Sequence, residues 1–281
     1  MSLNGIDTAS YQAGLDPAKV PMDFNIVKAT QGTTYINPDF KRMANATLDA
    51  GHLLGVYHYA SGGDAKAEAD FFLKVAADYI GKAILCLDWE KDQNAKFGKS
   101  DVDWCKTFCD RVFEKTGIRC FVYMSKSVCH AHYWGPVAKE YPLWCAQYAT
   151  MGRTGYQEDP WTDQNGWGAW DSPAIFQYSS GGQLSGWSGR LDLDKAYMTA
   201  DEWLAYAGQE PQELPFPEKT DTDLAVEVWY NVYGNGAKRR QALGSRYTQV
   251  QKAVSLLGED VSDFVSASKA YLEKFGCDKL V

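Results

Sequence analysis

The sequence predicts an α/β chain, an irregular (β/α) TIM-like barrel followed by a small all-α module. Three observations lead there. Eight short apolar or β-branched runs recur between residues 3 and 197, most of them separated by stretches with helical spacing. A Pro-rich acidic segment, QEPQELPFPEKTDTD at 209–223, then interrupts the pattern without periodicity of its own. Beyond it the chain reads almost wholly as helix.

The strand-like runs begin with LNGIDTAS at 3–10, FNIVKATQG at 24–32, HLLGVYHYAS at 52–61 and AILCLDWE at 83–90. They continue with IRCFVYMS at 118–125, PLWCAQYAT at 142–150, AIFQYSS at 174–180 and RLDLDKAY at 190–197. Between the early runs lie helical candidates. NPDFKRMANATLDAG closes on Gly51 and DAKAEADFFLKVAADYIG on Gly81, while SDVDWCKTFCDRVFEKTG has Ser100 or Asp101 as N-cap and Gly117 as C-cap. The later crossovers look short or loop-like, which makes the barrel irregular. GRTGYQEDPWTDQNGWGAWDSP at 152–173 replaces an ordinary crossover and carries Trp161, Trp167 and Trp170. It reads either as one wall of a glycan cleft, with Trp167 stacking on sugar, or as a lid core folded onto the barrel.

The bulk numbers narrow the function. A formal net charge of −8 argues against nucleic acid or an anionic membrane as main partner. No apolar stretch approaches the roughly 20 residues of a membrane span. The start, MSLNGIDTAS, shows no signal peptide, so synthesis in the cytoplasm is expected. The seven cysteines sit largely in apolar runs and read as small buried hydrophobes made in a reducing compartment. Neither Cys105 with Cys109 nor Cys129-His130 with His132 has paired C-x-x-C spacing, so neither a metal nor a cofactor is expected.

The chemistry concentrates at strand ends. Asp88 and Glu90 in ILCLDWE point to one face of a strand, with Trp89 opposite and the two Cα atoms roughly 6–7 Å apart at about 3.3 Å per residue. Adjacent carboxylates cannot ionise independently, so one pKa rises and a neutral acid stands beside a charged partner. That pair suits glycosidic bond cleavage. It also fits a strand end whose carboxylates cap the next loop. Asp7, Lys28, Tyr57, Tyr59, Tyr123, Gln147, Gln177 and Asp192 fall at the ends of the other runs, so one barrel rim would gather four carboxylates among hydrogen-bonding side chains.

These residues resemble a known family. GIDTASYQ, GVYHYA, LDWE, LWCAQY, and FQYSS followed by LDLD look like glycoside hydrolase family 25, lysozymes (N-acetylmuramidases) common in phage endolysins, over roughly residues 3–205. The resemblance implies hydrolysis of the β-1,4 bond between N-acetylmuramic acid and N-acetylglucosamine in bacterial peptidoglycan. It implies Glu90 as general acid, and Asp88 as stabiliser of positive charge or of a participating N-acetyl group. Asp7 and Asp192 would complete the acidic floor, and Lys28, Tyr57, Tyr59, Tyr123, Gln147 and Gln177 would contact sugar. Where the family usually has Asn two residues beyond the last Asp, this chain has Asp194, which changes one supporting hydrogen bond. Release at the end of a phage cycle is the implied route to the wall.

The domains expected are a catalytic barrel at 1–208, a linker at 209–221 and a helical domain at 222–281. Asp221 or Thr222 would cap the first helix of the last. YGNG at 233–236 followed by Arg239, Leu243, Tyr247 and Val250-Gln251 is similar to a cell-wall-binding repeat, which implies Tyr233, Asn235, Arg239 and Tyr247 as muropeptide contacts. The KRR run at 238–240 also fits a solvated helix face, and the module leaves room for self-association. Two readings compete with the muramidase. A family 18 chitinase fits less well because its D-x-x-D-x-D-x-E run is absent, with Cys86 and Ile84 where further acids would stand. A silent, wall-binding barrel would have to keep costly unused carboxylates.

Overall fold

The computed structural model describes residues 2–209, 218–234 and 237–275. The chain divides into two compact units, Met1–Glu210 and Pro211–Val281.

The first unit is built on β1 (Leu3–Thr8), β2 (Phe24–Gln31), β3 (Tyr35–Ile36), β4 (Leu53–Tyr59), β5 (Ala83–Asp88), β6 (Phe121–Ser125), β7 (Leu143–Ala146), β8 (Ile175–Gly182) and β9 (Leu191–Ala196). The sheet order is β1-β9-β8-β7-β6-β5-β4-β2-β3, and a β1–β2 pairing closes eight of the strands into a barrel. All eight runs read from the sequence are barrel strands. The two-residue β3 pairs antiparallel with β2 outside the ring. Too short to show alternation, it is invisible in the sequence.

Most neighbours are parallel, but β9 runs antiparallel to both β1 and β8. Asp192, expected at the C-terminal end of its strand, is instead the second residue of β9. The reversed direction carries that beginning to the same rim, where Asp192 pairs with Asp7. Gly5 permits the closure, since a Cβ there would stand 2.4 Å from the Phe24 ring.

Strand alternation sorts side chains into two layers. In β5 and just past it, Ala83, Leu85, Leu87 and Trp89 face outward into the main core, while Ile84 and Cys86 belong to a second cluster inside the barrel. Helices α1 (Phe40–Asp49), α2 (Ala65–Val75) and α3 (Asp101–Thr116) cover the outside, with the shorter α4 (Lys126–Ala131) and α5 (Gly135–Ala138) after β6. Asp64 caps α2 by accepting from Ala67 N, and Gly117 ends α3 in a left-handed turn. Ser100 precedes α3 but makes no side-chain cap. Helix α6 (Ala200–Tyr206) closes the interior from below, with Trp203 packed 4.6 Å from Phe24 and its indole donating to Leu54 O. Six cysteines, Cys86, Cys105, Cys109, Cys120, Cys129 and Cys145, are buried and unbridged, while Cys277 lies outside the described residues.

The long 152–173 segment folds onto the barrel. Trp170 is buried and donates to Tyr141 O, and Trp167 packs edge-on against Phe176. Lys126, almost fully buried, pins this segment. Its ammonium contacts Asp163 Oδ1 at 2.6 Å and Thr162 Oγ1 at 2.7 Å, and lies 4.2 Å above the Trp167 ring. That pairing holds the Asp163 carboxyl well below the usual carboxylate range.

The second unit holds α7 (Asp221–Trp229), α8 (Ala237–Leu243), α9 (Tyr247–Glu259) and α10 (Val261–Phe275) around Leu224, Val228, Leu243, Val250, Leu257 and Tyr271. Thr220, not Asp221 or Thr222, is the N-cap of α7, in a reciprocal capping box with Asp223. Glu227 is buried and accepts from Lys219 Nζ at 2.7 Å and from the hydroxyls of Tyr233 and Tyr271.

Candidate active site

At the rim formed by the ends of the parallel strands and the start of β9, a cleft of about 340 Å³ opens. It is lined by Asp7, Lys28, Tyr57, Tyr59, Asp88, Glu90, Tyr123, Gln177 and Asp192, nine of the eleven residues the sequence singled out for the barrel. Gln147 and Trp167 are not among its lining residues. Strand β7 ends at Ala146, so Gln147 leaves the alternation and engages the 152–173 segment. Its amide donates to Asp163 Oδ2 at 2.6 Å and its oxygen accepts from Thr162 Oγ1 at 2.7 Å. Trp167, held under Lys126, belongs to the lid core. The lining also includes Tyr11, Gln31, Trp144 and Tyr148, which the sequence reading passed over.

Asp88 and Glu90 do share a face. Asp88 continues the inward column of Ile84 and Cys86, and its Oδ1 has no hydrogen-bond partner among the described residues. Burial first, then the nearby Glu90 charge, pushes the Asp88 carboxyl well up. Glu90 is less enclosed, and burial raises it too, against the opposing pull of the Lys28 ammonium. Two interacting acids of this kind titrate as a unit. Lys28 donates to Gln31 Oε1 at 2.9 Å and lies 4.3 Å from the Tyr59 ring centre.

On the opposite wall Gln177 is the hub. Its oxygen accepts from Tyr123 OH at 2.8 Å and Tyr148 OH at 2.5 Å, and its amide donates to Asp7 Oδ2 at 2.5 Å. The neighbouring Asp194 lies one inward position deeper than Asp192 on β9. Asp194 is fully buried and accepts from Trp144 Nε1 at 2.8 Å. Neighbouring buried carboxyls cannot all ionise freely, because each charge disfavours the next. Burial raises Asp7 well above its ordinary range, pushes Asp194 up to about 7, and takes Asp192 to about 6.

Trp89 fixes the acidic pair from behind. It is fully buried between Phe97 and Trp104, and its indole donates to Asp101 Oδ1 at 2.9 Å, at the first turn of α3. Asp101→Ala leaves that buried N–H without an acceptor and lets the loop bearing Glu90 shift. We expect kcat to fall roughly tenfold with KM little changed, because small misplacements of a reacting group are costly. Asp101→Asn, which keeps the acceptor, should restore most of it. Equal kcat in the wild type and Asp101→Ala would show that the contact does not position Glu90.

In the second unit, the Tyr233 hydroxyl is engaged by Glu227 and Arg239 Nε donates to Gly234 O at 2.9 Å. Tyr247 is half-buried under the Arg240 guanidinium, at 4.7 Å. Asn235 lies outside the described residues. Among the described residues no cluster of His, Cys, Asp or Glu is arranged to hold a metal.

Comparison with known proteins agrees with this geometry. The family model "Glycosyl hydrolases family 25" matches residues 6–187, and a CW_7 repeat matches residues 222–257. An N,O-diacetylmuramidase of Chalaropsis sp is 34% identical over 142 residues, 45% of this chain and 67% of that protein. Lysozyme M1 of Streptomyces globisporus is 25% identical over 231 residues, covering 73% of this chain and 71% of its own. The crystal structure of a lysozyme from Streptomyces coelicolor superposes with a TM-score of 0.60 at 24% identity, over 73% of this chain and 96% of that one. A barrel with a carboxylate-lined cleft, matched over most of its length by the family model, places this chain in glycosyl hydrolases family 25, as a glycoside hydrolase of the lysozyme type.

Proposed function

We propose that the cleft hydrolyses the β-1,4 bond between N-acetylmuramic acid and N-acetylglucosamine in peptidoglycan. The observation that carries this reading is the buried Asp88 carboxyl, one oxygen of it unpartnered among the described residues, lining the cleft with Glu90 among tyrosines and a glutamine. Glu90 protonates the leaving oxygen. A sugar seated over this partly exposed carboxyl strips its remaining water and raises its proton affinity further. Asp88 faces the anomeric side, where its free oxygen receives an N-acetyl N–H or stabilises developing positive charge. Asp7 and Asp192 form the floor, with Gln177 and Tyr148 holding Asp7 in register. The relatives named as muramidase and lysozyme support this choice of substrate. The CW_7 repeat, by its family, supports retention of the enzyme on the wall.

Digestion of purified cell walls tests the proposal. New reducing ends should be muramic acid when the products are reduced and identified by mass spectrometry. Reducing-end glucosamine, or release of chitin oligosaccharides at a comparable rate, would instead favour a chitinase-like specificity. Wall binding without any release would leave a silent barrel.

A further inference from the structure

Between Lys28 and Thr30, strand β2 carries one residue more than its neighbour β4. Lys28 pairs with Tyr57, but Thr30 rather than Ala29 pairs with His58, and Gln31 pairs with Tyr59. Ala29 is the extra residue, and a bulge of this kind shifts the alternation of side chains by one position. Val27 and Ala29 belong to the outer core and Lys28 lines the cleft; past the bulge Thr30 bonds outward to His58 and Gln31 lines the cleft again. Lys28 and Gln31 thus share a face although they stand three apart, where strict alternation would separate them. Lys28 Nζ donates to Gln31 Oε1 at 2.9 Å as a result.

Two clamps hold the bulge. On the β3 side, the buried Asn37 donates from Nδ2 to Lys28 O and from its backbone N to Ala29 O, both at 2.9 Å. On the β4 side stands His58, fully buried, with its ring stacked 5.1 Å from Phe108. Glu68 of α2 accepts from Ser61 N at 3.0 Å and Gly63 N at 2.6 Å, and its Oε2 lies 2.9 Å from His58 Nε2. A carboxylate only accepts, so Nε2 carries the hydrogen and Nδ1 is left to accept from Thr30 Oγ1 at 2.8 Å. Burial holds the imidazole neutral against the pull of Glu68, and the Lys28 charge acts in the same direction as burial. Neither His58 nor Thr30 is among the lining residues of the cleft.

The geometry points to His58 as a positioning residue for the acidic pair: by holding Thr30 it fixes the bulge, and the bulge keeps the Lys28 ammonium on the cleft wall beside Asp88 and Glu90. Among the described residues lining the cleft, Lys28 is the only cation. The other titratable groups around the pair are Asp92 from the following loop, Asp192 from β9, Asp7 from β1 and the hydroxyls of Tyr57, Tyr59 and Tyr123. Lys28 is therefore the one opposite charge that favours the ionised carboxyls, and its position sets how readily Glu90 gives up its proton.

Taking Glu90 as the acid rests on the muramidase reading; how readily it ionises is a property of the cleft alone. The full-length protein, isotope-labelled at its glutamate carboxyls, is titrated by NMR, and the Glu90 signal is identified by its loss in Glu90→Gln. Thr30→Val removes the hydroxyl at nearly constant shape. It should raise the Glu90 midpoint by about half a pH unit, in the direction set by Lys28→Met, and carry the alkaline limb of wall lysis with it. Thr30→Ser should restore the wild-type midpoint. Asn37→Ala, which opens the other clamp, should shift the midpoint the same way and serves if Thr30→Val does not fold. An unmoved midpoint in folded Thr30→Val overturns the inference even if the melting temperature falls, since the contact would then be structural only. An unmoved midpoint in Lys28→Met overturns it too. Walls left intact by a wild type whose midpoint still responds to Thr30→Val would sink the muramidase reading and leave the positioning role standing.

Discussion

Glu90→Gln is expected to lower turnover on cell walls by about 10²–10⁴-fold, the usual contribution of a general acid, while the protein still folds. The substitution nearly preserves shape, and Glu90 is only partly enclosed, so the barrel around it need not adjust. What is lost is the proton: an amide cannot protonate a departing sugar oxygen. Asp88→Asn should also be severe, but with more residual activity, because an amide can still hydrogen-bond an N-acetyl group although it carries no charge. Turbidity loss of purified walls, read beside a thermal melt of each variant, separates the two effects. Undiminished lysis by a well-folded Glu90→Gln protein would falsify its role as acid.

The second large effect concerns stability and pH. Asp194 is pushed up to about 7 and Asp192 to about 6, chiefly by burial. An acid whose folded pKa is raised is stabilising below its unfolded value, near 3.8, and that contribution is lost as pH rises through the folded value. The melting temperature should therefore fall between about pH 4 and pH 7. Asp194→Asn removes the deepest of these carboxyls. Its amide oxygen can still accept from Trp144, and a neutral side chain no longer adds to the charge around Asp7. With about 1.4 kcal/mol per pKa unit, the gain at pH 8 is at most about 4 kcal/mol, and half of that is ample to detect. Identical melting curves for wild type and variant across this range would show that the pair does not limit stability.

Much of this was legible in the sequence because the barrel writes itself in period two. Runs such as AILCLDWE place every second residue inside, which puts Asp88 in the column of Ile84 and Cys86, while Glu90, two residues past the end of β5, still lines the cleft. The direction of β9 was not legible, since alternation is the same read either way, yet Asp192 still reached the rim. Gln147 was misplaced because β7 stops at Ala146, after which position no longer dictates facing, and Tyr148 turns into the cleft instead. Trp167 could not be assigned from composition, because an indole serves equally as a sugar platform or as core. Its fate was decided by Lys126, which sits 36 residues before the segment's Thr162 in the chain and bonds to it directly. Trp144 meets Asp194 across 50 residues of chain, a contact that no local pattern marks.

The six enclosed thiols all fall between residues 86 and 145, on the arc from β5 to β7. A maleimide added to the native enzyme can reach them only when that arc breathes open. Alkylation rates therefore offer a built-in clock for the partial unfolding of one side of the ring, without any engineered label.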